Sequence, residues 1–380
     1  MRVLNCIYIA LFMVMLTLPL VFVDFLPARA SDEENRMLAG VPKLADMRHP
    51  ETFVRDFDAW FKDSTGFRKQ VLKLYNLVDR NKWINGVWYK ESYLTFLIGK
   101  EGHHYSIHPG EIEKYQGKPF FTDEQLANMA AKLQEIKTFL DGNGIPFILM
   151  ICADKESVYP EFFPDSVRRG PEPIQLDVIT SYLQNNTTVD VFNIRQALLA
   201  EKNNYMLYPV VDNWTSSPKD IGHYNEIGAF FAYRELMRHI NVYFPGIVPY
   251  EFSDVEIGQD HNGEARVTLK PPRTYMKFPE SFFLNFQGYF EGIDWGQEAY
   301  ANPGSGPPVI LMMRDSYAHE YYLGKYLAQH FDMTVMIHLY NMRHFQQFFE
   351  VYRPDIVLFQ VAERGLRGFA DALASVTLQQ

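Results

Sequence analysis

Cysteine is nearly absent from this 380-residue chain, which has two. Cys6 lies inside a hydrophobic N-terminal stretch, so Cys152 stands alone in the remainder. No intrachain disulfide can form there, and a cysteine-based metal site is excluded for the same reason. At this length a large apolar core replaces covalent staples. Basic stripes are missing too. The formal net charge of -10 argues against nucleic acid as a partner and disfavours broad electrostatic capture of a polyanionic polymer. No glycine-rich phosphate loop occurs, so nothing points to a nucleotide. His103, His104, His319 and His344 form no i, i+4 ligand pair with an acidic partner, and neither metal nor other cofactor is expected. Internal repeats and low-complexity tracts are absent.

What remains is a globular composition: 47% apolar residues against 22% charged leave no room for a mainly disordered chain. Aromatic residues reach 15%, with 30 Phe and 23 Tyr. Large aromatic-rich cores explain that excess; a carbohydrate-stacking surface is the alternative. Residues 3–25 form an almost unbroken apolar run after Arg2, followed by Ala28-Arg29-Ala30 and the acidic Ser31 to Glu34. Its length of about 20 residues suits a membrane span. Ala-x-Ala equally suits signal-peptidase cleavage after Ala30. Both readings export the rest of the chain. Residues 1–30 are therefore expected to be a signal peptide or membrane anchor.

Apolar spacings of three and four predict helix through residues 31–90, broken by the turn Asp63-Ser64-Thr65-Gly66. A strand over 94–98 then runs into a glycine turn. Beyond it, buried strands are predicted at 146–152, 188–192, 309–313, 334–339 and 355–359. Helices are predicted at 122–140, 174–183, 194–202, 228–240, 317–331 and 343–352. Such alternation implies a parallel sheet covered on both faces and connected right-handedly. Between residues 243 and 308 proline, glycine and aromatics dominate, predicting an insertion of irregular and short β structure. Residues 91–380 are read as one catalytic domain of α/β class containing that insertion.

Chemistry-bearing residues gather at two places. Ser316 ends the apolar run Val309-Ile310-Leu311-Met312-Met313 and opens a helical pattern. A serine there lies at the carboxyl end of a sheet, beside helix N–H groups that can hold an oxyanion. The segment Asp220-Ile221-Gly222-His223-Tyr224-Asn225 supplies an imidazole, and a carboxylate three positions upstream to fix its tautomer. Taken singly, Ser316 or Asp315 reads as an N-cap and His223 as a packing histidine. Lys155 and Tyr159 follow a strand and are expected either to line the cleft or to be ordinary loop residues.

Several segments, in order, resemble the SGNH-hydrolase-like domain family of the alginate O-acetylation proteins AlgJ and AlgX. Asn35 to Pro42 resembles its opening segment, and Phe57 to Arg68 its first helical region. Ile98-Gly99-Lys100-Glu101-Gly102 resembles its Gly-Lys-Asp-Gly turn, although His103-His104-Tyr105 replaces the usual Trp-Leu-Phe-Tyr. Lys155 to Pro160, ending at Pro164, resembles the segment after its second strand. His223-Tyr224-Asn225 with Gly228-Ala229 resembles the His-Trp-Asn-x-x-Gly-Ala block. Arg314-Asp315-Ser316-Tyr317 resembles the Gly-Asp-Ser-Phe block, and Glu363-Arg364 the acidic-basic pair after the last strand. The similarity spans about residues 35–370, and the order of the motifs is more informative than any one of them.

The resemblance implies an SGNH-hydrolase-like three-layer sandwich with the histidine block before the serine block, a circular permutation of ordinary SGNH hydrolases. It implies a periplasmic or membrane-anchored O-acetyltransferase with a Ser316–His223–Asp220 triad. Arg314, Tyr317, Lys155, Tyr159 and Asn225 would serve the substrate or the oxyanion. A polysaccharide would be the acceptor and a membrane protein the acetyl-donating partner. A secreted carbohydrate esterase and a non-catalytic scaffold of a polysaccharide export complex are the alternatives. Two departures stand out. The family spaces its acid as Asp-x-His, but Ile221 occupies that place, so Asp220 must act from one residue further away, with Asp212 as runner-up. Arg314 replaces a small residue and is expected to narrow the site or add a cation to it.

Overall fold

The computed structural model describes residues 12–14, 29–31, 36–43, 50–64, 81–84, 87–91, 95–107, 110–210, 222–259, 265–270, 276–278, 297–302, 308–319 and 323–378, with residues 8, 17, 23 and 25 singly. The chain divides into two units, Met1–Lys82 and Trp83–Gln380. In the first, Arg29–Ser31 pairs antiparallel with Arg36–Leu38, and a helix runs over Pro50–Ser64. Phe53, Phe57 and Phe61 recur every four residues and stack along that helix, each ring 6.1 Å from the next. The all-helical expectation for residues 31–90 is corrected by the strands Arg36–Leu38, Asn81–Ile84 and Val87–Glu91. Trp, Tyr, Val and Ile crowd the last two, and β-branched and aromatic side chains favour the pleated backbone over the spacing we read. Residues 65–80 of that predicted helical region lie outside the described residues. No helix among the described residues is long and apolar enough to cross a membrane. Most of the predicted span at 3–25 lies outside them.

The second unit holds a seven-stranded sheet. Its strands are β1 (Phe147–Cys152), β2 (Asp190–Asn193), β3 (Met276–Lys277), β4 (Glu298–Ala301), β5 (Val309–Arg314), β6 (Met333–His338) and β7 (Ile356–Ala362). Their order across the sheet is β3-β4-β6-β5-β7-β1-β2. The five strands from β6 to β2 are parallel; β4 and β3 add an antiparallel edge. Every residue of β1 and β7 is buried, so both faces of the sheet are covered, which is why these strands read as unbroken apolar runs. The fold is thus mixed α/β around a mostly parallel sheet, consistent with an SGNH-like architecture.

The covering helices start where their sequences say they should. Helix α1 (Asp123–Gly142) opens on Thr122, whose hydroxyl accepts from the Gln125 N–H while the Gln125 side chain accepts from the Thr122 N–H. It closes before Gly144, which takes φ +72°. Helices α2 (Gln175–Asn186), α3 (Glu226–Tyr243) and α4 (Phe345–Tyr352) fall on or near predicted spans, whereas α5 (Leu366–Ala374) was not foreseen. Among the described residues the predicted helix at 317–331 is reduced to a three-residue 3-10 turn, Ser316–Ala318, and a π turn at 323–324 that leads into a short helix, Lys325–Leu327. Tyr317, Ala318, Leu323, Tyr326, Leu327 and Ala328 are all buried, so the segment is enclosed by the core and its path is set by tertiary contacts, whatever its spacing. The stretch 243–308 contains the hairpin Val255–Gln259 with Ala265–Leu269, and it also contributes β3 and β4 to the main sheet. Joining the sheet was not foreseen.

Candidate active site

Strands β1, β5 and β7 lie side by side and parallel, so the residues just beyond their carboxyl ends meet. Asp315 stops β5. Its carboxylate accepts from the Tyr317 N–H at 2.9 Å, from Gln360 Nε2 at 2.9 Å and from the Ala362 N–H at 2.5 Å. Both oxygens are thereby spent on fastening the end of β5 to β7. Asp315 is an anchor, and it leaves Ser316 exposed on the turn that follows. Because that turn is only three residues long, the helix N-terminus expected to hold an oxyanion is absent, and the Tyr317 N–H is already taken by Asp315.

His223 comes to Ser316 from helix α3. Asn225 caps that helix, its side-chain oxygen accepting from the N–H groups of Ile227 and Gly228 at 3.0 Å each. The Asn225 amide donates to the Met206 carbonyl at 2.6 Å. Two residues earlier, His223 is half-buried and places Nε2 2.6 Å from Ser316 Oγ. The imidazole packs on the Tyr317 ring at 4.6 Å, and the buried Tyr224 hydroxyl donates to the Tyr317 carbonyl at 2.6 Å. A hydroxyl at this distance from an imidazole nitrogen can pass it a proton when it attacks an electrophile. Asp220 and Asp212 both lie outside the described residues.

The other predicted site residues are engaged in contacts of their own. Tyr317 is buried, and its hydroxyl bonds the Gly222 carbonyl and, at 3.0 Å, Asp154. It braces the site and does not face solvent. Arg314 is buried against Glu298 at 3.4 Å, and burial pulls its charge down against the support of Glu298 and Asp315. Lys155 donates to the carbonyls of His104 at 2.8 Å and Pro209 at 2.5 Å, and burial lowers its pKa to about 7, with Glu156 opposing. Tyr159 donates to the Tyr205 carbonyl at 3.2 Å and accepts from the Leu207 N–H at 3.0 Å. Lys155 and Tyr159 therefore hold residues 205–210 through their backbone groups. In this structure Arg314, Tyr317, Lys155 and Tyr159 are buried in these contacts, and the Asn225 side chain is engaged in the α3 cap. Long or polar side chains just past strand ends look alike in sequence whether they point outward or inward.

Sequence reasoning missed the charge cluster beneath. Glu111, Lys114, Asp154, Glu156 and Glu363 are each at most 4% exposed. Lys114 Nζ lies 2.9 Å from Glu363, 3.4 Å from Glu156 and 3.5 Å from Asp154. Burial works against the Lys114 charge, but those carboxylates hold its pKa well above the usual lysine range. Burial likewise drives Glu156 up to about 8, against the pull of Lys114 and with the help of Asp154 and Glu363. Glu111, Asp154 and Glu156 could converge on one cation, and the Lys114 ammonium supplies a cation to that group. The spacing Glu111-x-x-Lys114 on one short helix is the only signal the sequence offered. Cys152 is buried, and burial raises its thiol far above the usual range, so it is no nucleophile.

No family model and no curated protein matches this chain. Solved structures do. Bacillus cereus PatB1 with a sulfonyl adduct superposes at a TM-score of 0.52 and 15% identity, over 77% of this chain and 100% of that one. A DHHW family protein from Eubacterium siraeum gives 0.51 and 14%, over 80% and 99%. These two matches establish a shared fold. The O-acetyltransferase domain of Pseudomonas putida AlgJ overlaps at 0.42 and 13%, over 74% and 99%.

Proposed function

We propose that this protein is an exported O-acyltransferase that moves acetyl groups onto hydroxyls of a polysaccharide. The observation that carries the reading is the 2.6 Å contact between His223 Nε2 and an exposed Ser316 Oγ at the carboxyl edge of the sheet. A scaffold has no use for a solvent-facing serine held against an imidazole. Ser316 Oγ attacks the carbonyl carbon of a donor ester while His223 takes its proton. Collapse of the tetrahedral intermediate breaks the bond to the leaving oxygen, which receives that proton, and the acyl group stays on Ser316. An acceptor hydroxyl then gives its proton to His223 and attacks the acyl-enzyme; the bond to Ser316 Oγ breaks, His223 returns the proton to that oxygen, and the acetylated acceptor leaves. Asp220 orients His223, with Asp212 as the runner-up. Since Asp315 occupies the Tyr317 N–H, the Ser316 N–H is the amide we assign to the oxyanion.

Location follows the same reading. Residues 1–30 export the chain as an anchor or a cleaved signal, and a membrane partner delivers acetyl outside the cytoplasm. The test is acetyl transfer from 4-nitrophenyl acetate to an oligosaccharide, followed by mass spectrometry. Full-length protein should yield acetylated sugar and Ser316→Ala should not; equal yields from both would reject the reading.

A further inference from the structure

The Gly222 carbonyl, one residue before the imidazole, receives two donors: Arg364 Nη1 at 2.6 Å and the Tyr317 hydroxyl. The guanidinium also bonds Asp154 at 2.7 Å and the Tyr317 oxygen at 2.8 Å, and lies 4.8 Å from the centre of the Tyr317 ring. Asp154 is fixed in turn, its N–H donating to Glu363 at 3.0 Å and its carboxylate facing Lys114 at 3.5 Å. Gly222 carries an independent sign of this arrangement. Its φ lies outside the left-handed region, so its backbone does not call for glycine. A Cβ there would instead stand 2.8 Å from Cζ, Nη1 and Nη2 of Arg364. The missing side chain makes room for the guanidinium.

We infer that Arg364 is a positioning residue: acting through the Gly222 carbonyl and Tyr317, it sets where His223 stands relative to Ser316. This rests on the catalytic reading of that pair. The carboxyl ends of β1, β5 and β7 are thereby locked to the histidine segment by one cation, itself held by the Lys114 cluster. Burial opposes the Arg364 charge, yet Tyr317 and Asp154 keep it firmly ionised.

The test measures kcat, KM and melting temperature for full-length wild type, Arg364→Ala, Gly222→Ala and their double variant, with 4-nitrophenyl acetate as substrate. Each single change should lower kcat by about 10- to 100-fold, the range expected for a displacement on the order of 1 Å, with KM held within about twofold. Because the alanine at 222 meets nothing once the guanidinium is gone, the double variant should fall little below Arg364→Ala. A merely structural arginine would lower the melting temperature and leave the kcat of the folded protein intact; that result, or kcat losses that multiply in the double variant, overturns the inference. Should Arg364→Ala fail to fold, Tyr317→Phe removes a single hydroxyl and must lower kcat in the same direction. Ser316→Ala separates the two readings. If it turns over the ester as wild type does, the catalytic reading and this inference both fall; if it is inactive while the Arg364 and Tyr317 variants are unimpaired, only this inference falls.

Discussion

Glu156→Gln tests the electrostatics under the site. The Glu156 carboxyl is 3% exposed, and burial lifts its pKa from 4.5 to about 8. Between those values the native protein holds a proton that the unfolded chain has already released. The proton-bound form therefore contributes stability that is fully present below about 4.5 and lost as pH rises through about 8. One pKa unit corresponds to about 1.4 kcal/mol, so the whole interval amounts to several kcal/mol as an order of magnitude. Glutamine keeps the shape and carries no charge at any pH. Lys155, depressed to about 7, works in the opposite sense from about 7 to 10.5 and itself feels the Glu156 charge, so the Glu156 effect is read first between pH 5 and pH 7. Thermal unfolding followed by near-ultraviolet circular dichroism, from pH 5 to pH 9, should show the two proteins nearly equal at pH 5. The variant should lead increasingly toward pH 9. Parallel curves across that range would refute the argument.

Other expectations follow from the same contacts. Ser316→Ala and His223→Ala should each cost on the order of 10^4 to 10^6 in ester turnover, and the double variant little more, because the two act as a unit; Asp220→Asn should be milder yet still large, and if it is silent Asp212 becomes the acid to test. Lys114→Met leaves four buried carboxylates, of which Asp154 keeps Arg364 at 2.7 Å, and should cost about 3–5 kcal/mol in urea unfolding at pH 8, less at pH 5 where carboxylates recover protons. Asn225→Ala should cost about 1 kcal/mol through loss of the α3 cap, seen as a lowered melting temperature.

The parallel core was legible because β1, β5 and β7 are buried on both faces and so show as continuous apolar runs. Helix α1 was legible because its cap is written locally in Thr122 and Gln125. The segment after Ser316 was not, since Lys325 is pinned to Glu226 and Tyr317 to Gly222, partners about a hundred residues away in sequence. Ser316 and His223 could be nominated from their positions at a strand end and a helix entry. The roles of Tyr317, Lys155 and Arg314 could not. A buried hydroxyl or cation differs from a substrate-facing one only in which distant backbone comes to meet it, as the Pro209 carbonyl meets Lys155. The Lys114 cluster joins residues 111, 154, 156 and 363 by the same long-range route.

The central claim is that Ser316 is a nucleophile activated by His223. Full-length protein treated with phenylmethylsulfonyl fluoride and digested for peptide mass spectrometry addresses it directly, since a sulfonyl fluoride is attacked by an activated serine. The account predicts one sulfonyl group per chain on Ser316, none on the Ser316→Ala protein, and much slower addition in His223→Ala. An unmodified Ser316 in wild type, or an adduct formed equally fast without His223, would contradict it.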